Sequence, residues 1–208
     1  MIPSPENLAV ENKVKPRSHK LRIYALLTLT ISVLILASGC HFRERLPDKG
    51  SKTYADYLST FYVGLAALQV GDDVRAERSL ADAVKLVPAE PSAWVNWGIL
   101  ALRQGNFDAA AQRLNHAREL APENDRIFYL LGILESNRGN STASITNLRE
   151  AITLNPANLR ATYQLALEIE RQGGANSEAD FEQLIQQILA TRADNLAALL
   201  ELLSLIHI

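Results

Sequence analysis

Small and apolar residues return through the middle of the chain at a fixed interval of 34 residues. This interval separates Pro88 from Pro122 and Pro122 from Pro156. The other positions that keep it are Leu80, Leu114 and Leu148; Ala83, Ala117 and Ala151; Gly64, Gly98 and Gly132; and Gly71, Gly105, Gly139 and Gly173. Self-similarity at one period is typical of stacked structural repeats, so the fold is restricted to an array of like units.

Each copy of the repeat is expected to form two helices joined by a turn. The glycine series that begins at Gly71 can adopt the left-handed conformation that ends a first helix. The proline of each copy ends the second helix because proline cannot continue the hydrogen-bond ladder. One copy cannot bury its apolar face, so neighbouring copies must stack. The expected helices lie near 53–70, 73–86, 91–104, 107–120, 125–138, 141–154 and 159–172, with a further helix that Ser177 caps.

The second copy carries a recognisable motif. It combines an aromatic residue, a Trp-Gly pair, small residues, a leucine and a closing proline, and these are Trp94, Trp97, Gly98, Ala101, Ala110, Leu114, Ala117 and Pro122. The pattern resembles the tetratricopeptide repeat. The resemblance implies an all-α fold, a right-handed superhelical solenoid of helix-turn-helix repeats.

The repeat boundaries follow from the interval. We expect an array over 53–194, made of three regular repeats and a degenerate fourth, then the first helix of an incomplete fifth: 57–90, 91–124, 125–158, 159–194 and 195–208. The last stretch is crowded with leucine and isoleucine, whereas a solenoid normally ends in a polar capping element. We therefore expect the polypeptide to continue beyond Ile208, as the N-terminal part of a longer exported protein. The array also resembles repeat regions that precede a β-propeller domain in some large exported bacterial proteins.

The first 40 residues have the organisation of an export signal, or of an N-terminal signal or anchor helix. A basic run, Lys13 to Arg22, precedes an uncharged apolar stretch, Ile23 to Gly39. The stretch closes on Leu-Ala-Ser-Gly-Cys, which resembles the lipobox of bacterial lipoproteins, and this resemblance implies acylation of Cys40. Cys40 is the only cysteine of the chain, so no internal disulfide competes for its thiol. Residues 41–52 are polar and predict a tether.

An uncleaved membrane anchor is the alternative to a lipoprotein signal. In both cases the positive residues precede the apolar stretch, so the repeats are exported. The expected location is the bacterial cell envelope, lipid-anchored. In a cell with two membranes we favour the outer membrane facing the periplasm, because His41 stands where an aspartate would signal retention. Inner-membrane anchoring with exported repeats is the second possibility.

The remaining sequence contains no recognisable catalytic, metal-binding or nucleotide-binding motif. Residues 1–40 contribute a charge of +3, so the other residues sum to −5 within the formal net charge of −2. This balance argues against a nucleic-acid partner, because nucleic-acid-binding domains show a basic face. The four histidines are scattered without metal-ligand spacing, and no phosphate-binding glycine loop is present. We expect no enzyme activity, no cofactor, no metal and no small-molecule substrate.

In tetratricopeptide-repeat proteins the first helices of successive repeats line a concave groove. The resemblance therefore implies that the matching positions of this chain line such a groove. The resemblance implies a groove for a protein partner, with an apolar floor and arginines at its edges: Phe61, Val95, Tyr129, Tyr163, Leu65, Ile99, Ile133, Leu167, Arg126 and Arg160. Aliphatic residues replace the lysines and asparagines that bind chaperone C-termini, which disfavours a carboxylate clamp. The alternative function is a spacer or assembly module of a larger exported protein. A hydrolase whose catalytic residues lie beyond Ile208 is a third reading.

Overall fold

The computed structural model describes residues 46–191, all within one compact unit of the chain. These residues form eight helices and no strand. The predicted helices agree with the observed ones to within one residue at each end. They are α1 (Lys52–Val70), α2 (Asp73–Leu86), α3 (Pro91–Arg103), α4 (Phe107–Leu120), α5 (Asp125–Asn137), α6 (Ser141–Leu154), α7 (Leu159–Gln172) and α8 (Ser177–Thr191).

Some sequence predictions concern parts of the chain outside residues 46–191. The signal or anchor helix, Cys40 and the helix over 195–208 all lie there. Within the described range no helix is both long and apolar enough to cross a membrane.

Side-chain caps fix where the helices begin. The Asp72 carboxylate accepts a hydrogen bond from the Arg75 backbone N–H at 3.1 Å, and the Asn106 side chain accepts one from Ala109 at 3.2 Å. Such caps satisfy amide groups that have no partner inside the helix. At α8 the prediction was wrong, because Ser177 lies inside the helix and its hydroxyl donates to the Gly174 carbonyl at 3.0 Å.

Glycine allows the turns between the paired helices. Gly71 and Gly139 each have φ of 80°, a left-handed conformation that side chains with a Cβ disfavour. The turn after α1 is closed by a hydrogen bond from the Asp72 N–H to the Ala67 carbonyl at 2.9 Å. The predicted left-handed helix end is confirmed at Gly71, whose φ is 80° and ψ 15°, whereas Gly173 has φ of 69° with ψ of 179° and ends its helix in a different conformation.

A second glycine series brings paired helices into close contact. A Cβ built on Gly132 would lie 2.6 Å from Leu148 Cγ, closer than real side chains approach. The same is true of Gly98 against Leu114 and of Gly64 against Leu80. All three leucines are fully buried. In each regular repeat a leucine of the second helix therefore packs directly on the glycine backbone of the first helix.

The fourth repeat joins its helices differently. Ala166 occupies the glycine position, and α8 packs against it through Phe181, Ile185 and Ile188, all nearly or fully buried. The turn between α7 and α8 contains two glycines of positive φ, Gly173 and Gly174, and is longer than the earlier turns.

Polar side chains hold successive repeats together. Arg138 donates to the Phe107 carbonyl at 3.1 Å and to the Asp108 carboxylate at 2.8 Å. Arg103 bonds the Leu68 carbonyl in the same way, one repeat earlier. These arginines bind carbonyl groups of the preceding repeat, and so they fix how one repeat is rotated against the next.

Candidate functional site

A depression of about 750 Å³ opens between the first helices of the third and fourth repeats, α5 and α7. We call it the α5–α7 depression. Its floor and walls come from three first helices and from the loop between α6 and α7. The lining residues are Ile99, Asp125, Arg126, Tyr129, Leu130, Asn155, Ala157, Asn158, Leu159, Arg160 and Tyr163. Half of the predicted groove residues meet here.

The two tyrosines form the aromatic part of this surface. Tyr129 and Tyr163 are equivalent residues of adjacent repeats, and both are half-buried. Tyr129 packs its ring against the core clusters on either side, and Tyr163 packs against the cluster around Phe181. Rings held in this way lose little freedom when they contact a ligand, which makes them suitable binding anchors.

A polar clamp, which the sequence did not predict, builds one side of the depression. The Asp125 Oδ2 atom accepts hydrogen bonds from Asn155 Nδ2 at 3.1 Å and from Asn158 Nδ2 at 2.7 Å. Asn158 also caps α7, because its Oδ1 accepts from the Ala161 N–H at 3.1 Å. The loop between α6 and α7 is thereby tied to the start of α5. The signal available in the sequence was the asparagine at the cap position of both repeats, Asn124 and Asn158.

The arginines on the edge carry the positive charge of the site. Arg126 and Arg160 are both exposed. Among residues 46–191 no ion pair involves either guanidinium. Each can therefore bind an external carboxylate without breaking an existing ion pair.

The other predicted groove residues lie elsewhere. Val95 is 4% exposed and belongs to the core cluster with Leu130, which corrects the prediction that it lines an open groove. Phe61 stacks on Tyr57 with ring centroids 5.7 Å apart. The half-buried Leu65, Ile133 and Leu167 do not line the α5–α7 depression.

The buried acid of this region is structural. Glu168 is 2% exposed. Burial alone would raise its pKa, but hydrogen bonds from Arg171, Ser141 and Ser136 outweigh burial and hold the pKa of Glu168 below its ordinary value. Ser136 donates to its Oε2 at 2.9 Å. The carboxylate therefore joins helices of neighbouring repeats and does not face the depression. No cluster of potential metal ligands occurs in residues 46–191.

The sequence was compared with models of known protein families and with curated protein sequences. A family model described as tetratricopeptide repeat matches residues 63–125 and, in a second register, residues 95–158. A comparison with curated protein sequences gives no match.

Solved structures share the fold at low sequence identity. An O-GlcNAc transferase mutant from Thermobaculum terrenum is similar with a TM-score of 0.64 and 23% identity, over 68% of this chain and 27% of that chain. For pilF of Pseudomonas aeruginosa the TM-score is 0.68 and the identity 18%, over 76% of this chain and 70% of that chain. For YrrB, described as a TPR protein with an unusual peptide-binding site, they are 0.55 and 16%, over 67% and 70%.

At such identities the likeness to solved structures establishes the fold alone. This chain spans 27% of the transferase chain, so that enzyme's activity is not carried over. The family model matches the regular repeats directly, and the eight observed helices have the paired arrangement that it implies. Residues 63–158 therefore match the tetratricopeptide repeat, and residues 46–191 fold as an all-helical solenoid of paired helices.

Proposed function

We propose that this protein is an exported, membrane-tethered scaffold that binds a protein partner in the α5–α7 depression. The observation that carries the proposal is the meeting of Tyr129, Tyr163 and Ile99 with two exposed arginines in one depression of about 750 Å³. Aromatic and arginine side chains are the residue types that most often dominate binding at protein interfaces.

The chemistry of the depression defines the partner segment. An apolar side chain inserted between Tyr129 and Tyr163 would be anchored on rings that the core already holds. Acidic residues flanking that anchor would pair with Arg126 and Arg160. Both an amphipathic helix and an extended peptide can present an anchor with such flanks. YrrB, which has this fold, is described as having a peptide-binding site, and this supports a peptide-like ligand.

The binding proposal is tested with alanine variants and a matched control. Tyr129→Ala and Tyr163→Ala should each weaken capture of the partner from envelope extract by more than about 1 kcal/mol, the range of an interface hot spot. The control is Val74→Ala, which truncates an apolar side chain that is 75% exposed and lies outside the depression. Retention of the same partners by both tyrosine variants, with folding intact, would place the binding site elsewhere.

The tether is proposed from the sequence. Acylation of Cys40 would hold the array on a membrane, since each buried methylene contributes about 0.8 kcal/mol and two chains suffice for stable anchoring. Intact mass of the native protein tests this step. A mature form that begins at residue 40 with added acyl mass is expected. An unmodified cysteine, or a different first residue, contradicts it.

A spacer or assembly module of a larger exported protein is the second candidate function. It is favoured by the transferase comparison, in which the shared fold makes up 27% of the longer chain. In that case the α5–α7 depression would be occupied by another part of the same polypeptide. A crosslinker placed at Tyr129 would then react with the same polypeptide and not with a separate partner protein.

A further inference from the structure

The outer face of α1 is apolar along most of its length, and no other part of residues 46–191 covers it. Tyr62 is 60% exposed, Val63 46% and Val70 80%. Positions three, four and seven apart share one face of a helix, and the small residues between them are exposed on the same face. We call these residues the α1 stripe: Ala55, Ser59, Tyr62, Val63, Ala66 and Val70.

The repeat register shows what the same face does in the next repeat. There the residues of α3 that correspond to the middle of the stripe are buried beneath α2, the second helix of the preceding repeat, whereas Gln104, which corresponds to Val70, is exposed. The residues that correspond to Ser59, Tyr62 and Ala66 are Ala93, Asn96 and Leu100, with exposures of 0%, 5% and 0%. The α1 stripe is therefore a helix-packing surface that lacks its helix within residues 46–191.

The stripe is symmetrical about the point between Tyr62 and Val63. A second α1 laid across it in the opposite direction would match small residues with small or apolar ones. Small residues at such positions allow two helices to approach closely. The matched pairs, each between one copy and the other, are Ala55 with Val70, Ser59 with Ala66, and Tyr62 with Val63.

The charges at the two ends of α1 favour the same orientation. Lys52 begins the helix, and Asp72 follows its end. An antiparallel pair brings each lysine to the other copy's aspartate, whereas a parallel pair would bring lysine to lysine. Asp72 Oδ1 caps the next helix, but Oδ2 is available for such a contact, because its ion pair with Arg75 is long, 3.9 Å, and both side chains are exposed. We propose that two copies of this chain dimerise through the α1 stripe, with their α1 helices antiparallel.

Disulfide trapping tests both the partner and the orientation. In the full chain carrying Cys40→Ser, Ser59→Cys and Ala66→Cys are made separately and then mixed under mild oxidation. The mixed 59-to-66 disulfide should be the main product. Each variant alone should crosslink poorly, because seven residues of helix separate the two positions by about 10 Å. A disulfide within the Ser59→Cys sample alone, or no mixed product, overturns the antiparallel dimer.

Mass measurement gives a second readout on the detergent-solubilised full chain. The native chain should have the mass of a dimer, and Tyr62→Glu should abolish the dimer while leaving helix content unchanged. Gln112→Glu, which adds the same charge at an exposed position of α4, should leave the dimer intact. A monomeric native chain overturns the proposal. The proposal is also overturned if residues 1–45 of the same copy protect the α1 stripe from hydrogen exchange with solvent.

Discussion

The third and fourth repeats form the two sides of the α5–α7 depression, yet they are built differently. In the third repeat α6 packs a buried leucine, Leu148, on the bare backbone of Gly132. In the fourth repeat the interval would place Glu182 at the leucine position, but Glu182 is exposed and the buried residue is Ile185. The second helix of the fourth repeat is thus shifted along the sequence by three residues.

The position of this shift matters for function. It lies in the turn after α7, so Tyr163 keeps its interval from Tyr129 while only α8 moves. The first helices that line the depression therefore retain the repeat interval, and the irregularity falls on α8 alone among the described helices. We call the contact between a repeat's buried leucine and its helix glycine the glycine-leucine joint. Two predictions compare this joint with the contact around Ala166, and a third examines Glu168 between the third and fourth repeats.

The largest effect is expected from truncating the buried leucine of a glycine-leucine joint. Leu114→Ala should lower the free energy of unfolding by about 2 to 5 kcal/mol, because the side chain is fully buried. Ile185→Ala should cost less within that range. The Ala166 methyl group partly fills the space in the fourth repeat, whereas Gly98 offers no Cβ. Urea unfolding of both variants measures the difference, and an equal or larger loss for Ile185→Ala would remove the distinction.

An intermediate effect is expected from adding one methyl group. Gly132→Ala should destabilise the protein by about 1 to 3 kcal/mol, since the new Cβ meets a buried leucine that has no room to move. The reverse change, Ala166→Gly, should cost about 1 kcal/mol through helix propensity, and the loss of a buried methyl group packed against α8 should add to this cost. Thermal melting compares the two variants. If Gly132→Ala stabilises the protein as an ordinary helical alanine would, the glycine-leucine joint is looser than described.

The smallest effect is a pH dependence at the contact between the third and fourth repeats, where Glu168 lies. The lowered pKa of Glu168 means that its ionised form stabilises the folded state. That contribution is fully present above the ordinary pKa of glutamate and is lost as the pH falls through the lowered folded value. The stability difference between the native chain and Glu168→Gln should therefore shrink as the pH is lowered from neutral into the acid range. A difference that is constant with pH would show that the carboxylate contributes no charge-dependent stability.

The sequence predicted the helices well because glycine and proline act locally. Gly71 ends its helix through its own backbone conformation, and no distant residue has to be known. Val95 was placed incorrectly because its exposure depends on the size of its neighbours. Leu130 of the next repeat packs in the same core cluster. The period identifies equivalent positions, but equivalent positions need not have equivalent surroundings.

The polar clamp was missed for a related reason. Asp125, Asn155 and Asn158 come from two repeats and meet only once the solenoid has formed. Each of these residues was explicable alone as a helix cap or a first-turn acid. Their shared role at the edge of the depression follows from how the third and fourth repeats stack.

Photo-crosslinking from the depression tests the proposed function most directly. A benzophenone amino acid placed at Tyr129 or Tyr163 keeps an aromatic ring in each wall and reacts with whatever contacts it in intact cells. Both positions should yield the same partner adduct, and a benzophenone at the exposed Gln112 of α4 should not. Adducts from Gln112 with none from Tyr129 and Tyr163 would contradict the assignment of partner binding to the α5–α7 depression.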